Sequence, residues 1–136
     1  MQAVLVGGAA GRFVHPDDLD VPLTLEAQRA GRVILGSGVI MALDETVDLP
    51  RMIMRIAAFF RDESCGQCVP CRVGTVRQEE ALARMVNGTE RNGVGGELAL
   101  IAELGQCMRY ASICGLGQTA SSAIESAIEH LGAFRR

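Results

Sequence analysis

Three cysteines, Cys65, Cys68 and Cys71, stand at C-x₂-C-x₂-C spacing within Glu-Ser-Cys-Gly-Gln-Cys-Val-Pro-Cys-Arg-Val-Gly, residues 63–74. Two intervening residues let successive thiolates converge on one side of a tight loop, and three thiolates so placed suit three irons of a cubane. A fourth must come from elsewhere in the chain. Cys114 lies in Ser-Ile-Cys-Gly-Leu-Gly, and Gly115 and Gly117, like Gly66, permit a wrapped loop with close backbone approach. Close approach also lets amide N–H groups point at cluster sulfurs. Cys107 is the other candidate fourth ligand. Its helical period places it beside Leu104 and Met108, where it reads as a small buried hydrophobe. The expected ligands of a [4Fe–4S] cluster are therefore Cys65, Cys68, Cys71 and Cys114.

Other uses of cysteine fit less well. A four-cysteine zinc site normally shows two separate C-x₂₋₄-C knuckles, whereas this chain has one triple and a distant single. A disulfide framework conflicts with an odd count of 5 cysteines and with an N-terminus, Met-Gln-Ala-Val-Leu-Val-Gly-Gly, that lacks an export signal. Nor does any apolar run approach the ~20 residues that span a bilayer. The expected location is cytoplasmic, or the cytoplasmic side of a membrane complex. A formal charge of −3 leaves no electrostatic footprint for nucleic acid. At 136 residues and 49% apolar, the chain can bury one moderate core or two small ones.

The hydrophobic period divides the chain near residue 48. Before it, Gln2–Val6 predicts a strand ending at the breaker pair Gly7-Gly8, and Val39–Leu43 a second, buried strand. Asp17–Leu19 reads as a turn, Thr24–Ala30 as a short helix capped by Thr24, and His15 as a surface turn residue. The glycines of Gly7–Gly11 miss the dinucleotide-loop spacing, and Phe13-Val14-His15-Pro16 follows where that fingerprint needs a helix. Two short strands do not make an independent sheet, so this half looks incomplete.

From Asp48, an N-cap with Pro50 in the first turn, the period becomes 3.6. Leu49, Met52, Ile53, Ile56, Phe59 and Phe60 form one apolar stripe leading into the cysteine loop. Val76, Glu79, Leu82, Ala83 and Val86 predict a second helix over 72–86, stopped by Asn87-Gly88, with a polar loop over 89–96. Leu98, Ile101, Leu104 and Met108 mark a third, and Ala120, Ile124, Ala127, Ile128 and Leu131 a fourth over 118–134. Glu79, Glu80, Glu125 and Glu129 read as solvated. The expected fold is α+β: an incomplete β-grasp-like segment over 1–47, then a four-helix iron–sulfur domain over 48–136 with the cluster at one end.

Glu63 to Thr75, with Ile113-Cys-Gly-Leu-Gly-Gln-Thr-Ala120 downstream, resembles the flavoprotein subunit of respiratory complex I. That family includes the diaphorase subunits of NAD-dependent hydrogenases and formate dehydrogenases, and E-S-C-G-x-C-x-P-C-R-x-G is its cluster signature. Residues 1–50 resemble the later part of its β-grasp segment, through Ala3–Gly8, Leu19–Leu25 and Gly36–Thr46. The resemblance implies that Cys65, Cys68, Cys71 and Cys114 ligate a [4Fe–4S] cluster, and that Arg72 adds positive charge nearby or is simply solvated. It implies electron transfer from a flavin mononucleotide reduced by NADH to further clusters.

The family's large flavin- and NADH-binding domain has no counterpart here. Pro-Asn-Pro-Val, usual after Thr-Ala in the family, is replaced by Ser121-Ser122-Ala123-Ile124. FMN and NAD(H) are accordingly expected on another polypeptide or a missing domain, with the chain a fragment or a split subunit. The implied partners are subunits of a multi-subunit oxidoreductase, among them a flavin-binding polypeptide and an iron–sulfur subunit. The function expected is an electron relay without a catalytic residue of its own. The competing expectation is a structural or regulatory metal module, iron–sulfur or zinc, that stabilises a subunit interface.

Overall fold

Central strand β1, Ala3–Val6, is buried on both faces, as an apolar run with no polar alternation requires. Residues 1–134 are described in the computed structural model; the expected iron–sulfur segment continues to Arg136, and Arg135 and Arg136 lie outside the described residues. Strand β2, Arg12–Val14, and strand β3, Ile40–Leu43, flank β1 in the order β2-β1-β3, both antiparallel to it. The registers pair Leu5 with Phe13 on one side and with Met41 on the other.

Two of these strands differ from expectation. The glycine cluster makes a tight reversal into β2, a strand that the hydrophobic pattern does not announce. Gly7 has φ +94°, and a Cβ on Gly11 would lie 1.8 Å from the Val6 carbonyl oxygen, so only glycine closes this corner. Strand β3 was expected to be buried, yet Ile40 is 56% exposed and only Leu43 is enclosed, because β3 is an edge of the sheet. On the outer face, Val4, Val6 and Val14 pack with Ala27 and Val33 around the short helix α1, Leu25–Arg29. Thr24 caps α1 by accepting the Ala27 N–H at 3.2 Å.

The other face of the sheet belongs to the main core. Ala3, Leu5, Phe13 and Leu43 pack with Ile53, Ala57, Phe60, Leu82, Ile101, Met108 and Ile124. Helix α2, Leu49–Glu63, is capped as expected: Asp48 accepts the Arg51 N–H at 3.1 Å. It buries Leu49, Ile53, Ile56, Ala57 and Phe60, while Phe59 turns outward and meets Phe60 edge-on at 5.3 Å.

Helix α3, Val69–Asn87, starts earlier than expected because Pro70 occupies a favoured first-turn position, and Gly88 ends it in the left-handed conformation. Its buried face is Cys71, Gly74, Thr75, Gln78, Ala81, Leu82 and Met85. The expected stripe through Val76 and Glu79 is rotated off the core. Glu79, expected to be solvated, is instead half-buried in an ion pair with Arg61 at 2.6 Å, tying α3 to α2.

Helix α4, Gly93–Ala111, begins inside the expected loop and lies close against α3, with Met108 filling the space a side chain at Gly74 would need. The expected fourth helix is broken into α5, Gly115–Thr119, and α6, Ser122–Leu131. At the break Ala120 and Ser121 are fully buried, and the Ala120 carbonyl accepts Gln78 Nε2 at 3.2 Å. Helix α6 binds β2: the Phe13 N–H donates to Ser126 Oγ at 2.9 Å, and His130 Nδ1 lies 3.0 Å from the Phe13 carbonyl. The fold is thus mixed α and β, a three-stranded sheet on a set of packed helices. No helix among the described residues is long and apolar enough to cross a membrane.

Candidate metal centre

Two helix junctions meet at one end of the helical layer. Helix α2 terminates at Ser64, and Cys65-Gly66-Gln67 reverses the chain, with Gly66 at φ +78°. Cys68 takes the extended N-cap position of α3, and Cys71 falls in the first turn, facing inward. At the second junction α4 ends, Ser112 and Ile113 cross over, and Cys114 takes the N-cap position of α5. The Arg72 guanidinium folds back over Gly66, where a Cβ would meet its Nη2 at 2.5 Å. That puts a fixed positive charge on the cysteine loop.

Cys65, Cys68, Cys71 and Cys114 line a single cavity of about 320 Å³, together with Ser64, Gly66, Gln67, Ile113 and Leu116. Cys107 is not among its walls. It is exposed on α4, and not buried as its helical period suggested. Cys71 is buried, Cys68 half-buried, and Cys65 and Cys114 exposed, so the cavity opens at the surface. Backbone N–H groups of Ile113 and Cys71 approach the Cys68 sulfur, and with the Ser112 hydroxyl they hold that thiol below its ordinary value against the effect of desolvation. Ser64 Oγ sits 3.3 Å from Cys71 Sγ.

These features fit a cluster better than a single ion. Among the described residues no three His, Cys, Asp or Glu side chains close on one ion-sized point. The four thiols instead line one space of about 320 Å³, roomy enough for a cubane, with the Ser64 hydroxyl 3.3 Å from the Cys71 sulfur. Ser112 adds a second sign, since its buried Oγ has no hydrogen-bond partner among the described residues. Sequence reasoning missed Ser112 because nothing local distinguishes it. Ser64 stands inside the cysteine motif, where spacing alone gives it no role.

The chain has relatives of known type. It is 34% identical over 128 residues to HndC, a subunit of the NADP-reducing hydrogenase of Solidesulfovibrio fructosivorans, covering 94% of this chain and 26% of that protein. It is 32% identical over 124 residues to a subunit of the NADH-quinone oxidoreductase of Mycobacterium bovis, covering 91% of this chain and 27% of that protein. The crystal structure of an NAD⁺-reducing [NiFe]-hydrogenase in the H₂-reduced state superposes with a TM-score of 0.82 at 31% identity, over 98% of this chain and 22% of that one. The chain therefore spans about a quarter of the length of these relatives. Residues 51–134, which contain all four cavity cysteines, match a family designated for a 4Fe–4S centre. On that match the chain belongs to the NADH-ubiquinone oxidoreductase-F iron–sulfur binding region family.

Proposed function

We propose that this chain is an electron-relay module of an NADH-linked oxidoreductase, with Cys65, Cys68, Cys71 and Cys114 as the ligands of one [4Fe–4S] cluster. The observation that carries the reading is the convergence of these four cysteines, from two separate helix junctions, on one cavity that excludes Cys107. A cluster of this kind supplies one-electron chemistry. The chain's own residues hold it and modulate its charge: thiolates as ligands, the Ile113 and Cys71 N–H groups as donors, and Arg72 as a neighbouring cation. The proposed architecture is a four-helix bundle of α2, α3, α4 and α6 over 48–136, carrying the cluster at one end beside the β-grasp-like segment over 1–47.

FMN and NAD(H), on this reading, are held by another polypeptide or by a domain outside these residues. The named relatives are subunits of an NADH-quinone oxidoreductase and of hydrogenases, which supports partners of that class. The partners proposed are a flavin- and NADH-binding polypeptide and a further iron–sulfur subunit, in the cytoplasm. The zinc or purely structural alternative draws no support from the breadth of the cavity.

The test is metal and sulfide content of the anaerobically purified chain, with electron paramagnetic resonance before and after dithionite. Iron and sulfide near four each, with a signal that appears on reduction, is the expected result. Bound zinc, or iron with no reducible signal, would overturn the relay.

A further inference from the structure

Two serines flank the cavity cysteines, and both are buried. Ser64 is 5% exposed and Ser112 is 6% exposed. Ser64 Oγ and Cys71 Sγ are 3.3 Å apart, a pair in which either atom could donate while the thiol is protonated. A thiolate that ligates iron has lost its proton, so the hydroxyl alone can donate.

Ser112 is more telling. Its N–H donates to the Met108 carbonyl at 3.1 Å, and its own carbonyl accepts Gln118 Nε2 at 3.1 Å, so its backbone is satisfied. Its hydroxyl is not. That hydroxyl is held between α5 and α3: a Cβ on Gly117 would lie 2.4 Å from Ser112 Oγ and 2.9 Å from Cys71 Cβ. That places the hydroxyl beside Cys71, at the edge of the cavity that Cys68 also lines, with no acceptor of its own among the described residues. A buried hydroxyl without an acceptor is costly, and a ligand thiolate at Cys68 would remove that cost.

We infer that Ser64 and Ser112 are positioning residues that donate hydroxyl hydrogen bonds to the ligand sulfurs of Cys71 and Cys68, and so raise the reduction potential of the bound cluster. The inference rests on the four-cysteine reading above. Reduction adds one electron to the cluster and none to either serine. Donors aimed at sulfur stabilise the more negative, reduced state, so they move the midpoint upward. The two hydroxyls come from the two halves of the site, one beside each junction. They convert its long-range assembly into a property of the cluster.

The experiment is a redox titration of the anaerobically reconstituted chain, followed by electron paramagnetic resonance, on the wild type and on Ser64→Ala, Ser112→Ala and Ser121→Ala. Ser121 is the control. It is fully buried with an unpartnered Oγ, but it lies against Gly105. Ser64→Ala and Ser112→Ala are expected to shift the midpoint to more negative values, with the double variant shifted furthest and Ser121→Ala unchanged. Ser64→Thr, which keeps the hydroxyl, is expected to restore the wild-type midpoint. Resonance Raman spectra in D₂O against H₂O give a second readout: the iron–thiolate bands of the wild type are expected to shift, and by more than those of the double alanine variant, in which only backbone N–H donors exchange. Bands that shift no more in the wild type than in the double variant, or an unchanged midpoint in both alanine variants at full iron content, would overturn the inference alone. A wild type that binds no cluster would instead overturn the ligand reading beneath it.

Discussion

Cys68 and Ile113, the residue immediately before Cys114, line the same cavity, and the Ile113 N–H is the chief group that holds the Cys68 thiol below its ordinary value. This relationship joins the cysteine triple to the distant single, across more than forty residues of chain that form α3 and α4. The four-cysteine cavity is therefore a product of the α3–α4 packing, since neither junction alone brings four sulfurs to one cavity.

Replacing the cysteines one at a time separates ligands from bystander. Cys65→Ala, Cys68→Ala, Cys71→Ala and Cys114→Ala are each expected to lose most bound iron and sulfide. Cys107→Ser, at an exposed position on α4, is expected to keep wild-type content and an unaltered paramagnetic signal. Loss of the cluster from the Cys107 variant would reassign the fourth ligand.

The two glycines that follow Cys114 are expected to behave oppositely. At Gly117 a methyl group would strike Ser112 Oγ and Cys71 Cβ, and overpacking of this kind typically costs about 1–3 kcal/mol. Gly117→Ala should lower the thermal midpoint and reduce iron loading together. At Gly115 a Cβ meets nothing within 4 Å, so Gly115→Ala should leave both unchanged. Equal behaviour of the two variants would refute the close approach of α5 to α3.

Ser126 tests whether sheet and helices share one core. It accepts the buried Phe13 N–H and donates to the Ala123 carbonyl, each at 2.9 Å. Ser126→Ala would strand the Phe13 N–H, a loss of about 1–3 kcal/mol in chemical denaturation. A loss below about 0.5 kcal/mol would show that the strand's N–H finds another partner.

The acid response should trace to Glu97, which is 3% exposed. Arg84 holds it through a forked pair at 2.6 and 2.7 Å and Arg91 donates its backbone N–H, lowering the carboxyl from 4.5 to about 2. The folded-state value is the depressed one, so the pair's stabilisation is complete above about 4.5, fades as pH falls and is gone below about 2. Wild type should lose up to about 3 kcal/mol more than Glu97→Gln across that window. At neutral pH, Arg84→Ala should cost about 3 kcal/mol by leaving a buried carboxylate unpaired. Parallel pH profiles for wild type and Glu97→Gln would exclude this account.

Local chemistry was legible from the chain alone. The cysteine spacing, the Asp48 and Thr24 caps, the Gly88 stop and the break around Cys114 each depend on residues within a few positions of one another, and each is found where the sequence put it. What the sequence could not display depends on partners far along the chain. Strand β2 exists because Phe13 finds both Leu5 and Ser126. Helix α6 separates from α5 because Gln78 takes the Ala120 carbonyl. Polar Thr75 and Gln78 are buried on α3, against the hydrophobic pattern, because their donors find acceptors there: Thr75 Oγ1 donates to the Cys71 carbonyl and Gln78 Nε2 to the Ala120 carbonyl, while Gln78 Oε1 stays unpartnered among the described residues. Cys107 and Cys114 are seven residues apart in the chain, yet the packing of α4 sends the first to solvent and delivers the second to the cavity. Residue types and spacing determined that this chain could ligate a cluster. Packing decided which sulfurs meet and which hydroxyls face them, because those depend on contacts between segments that no local period encodes.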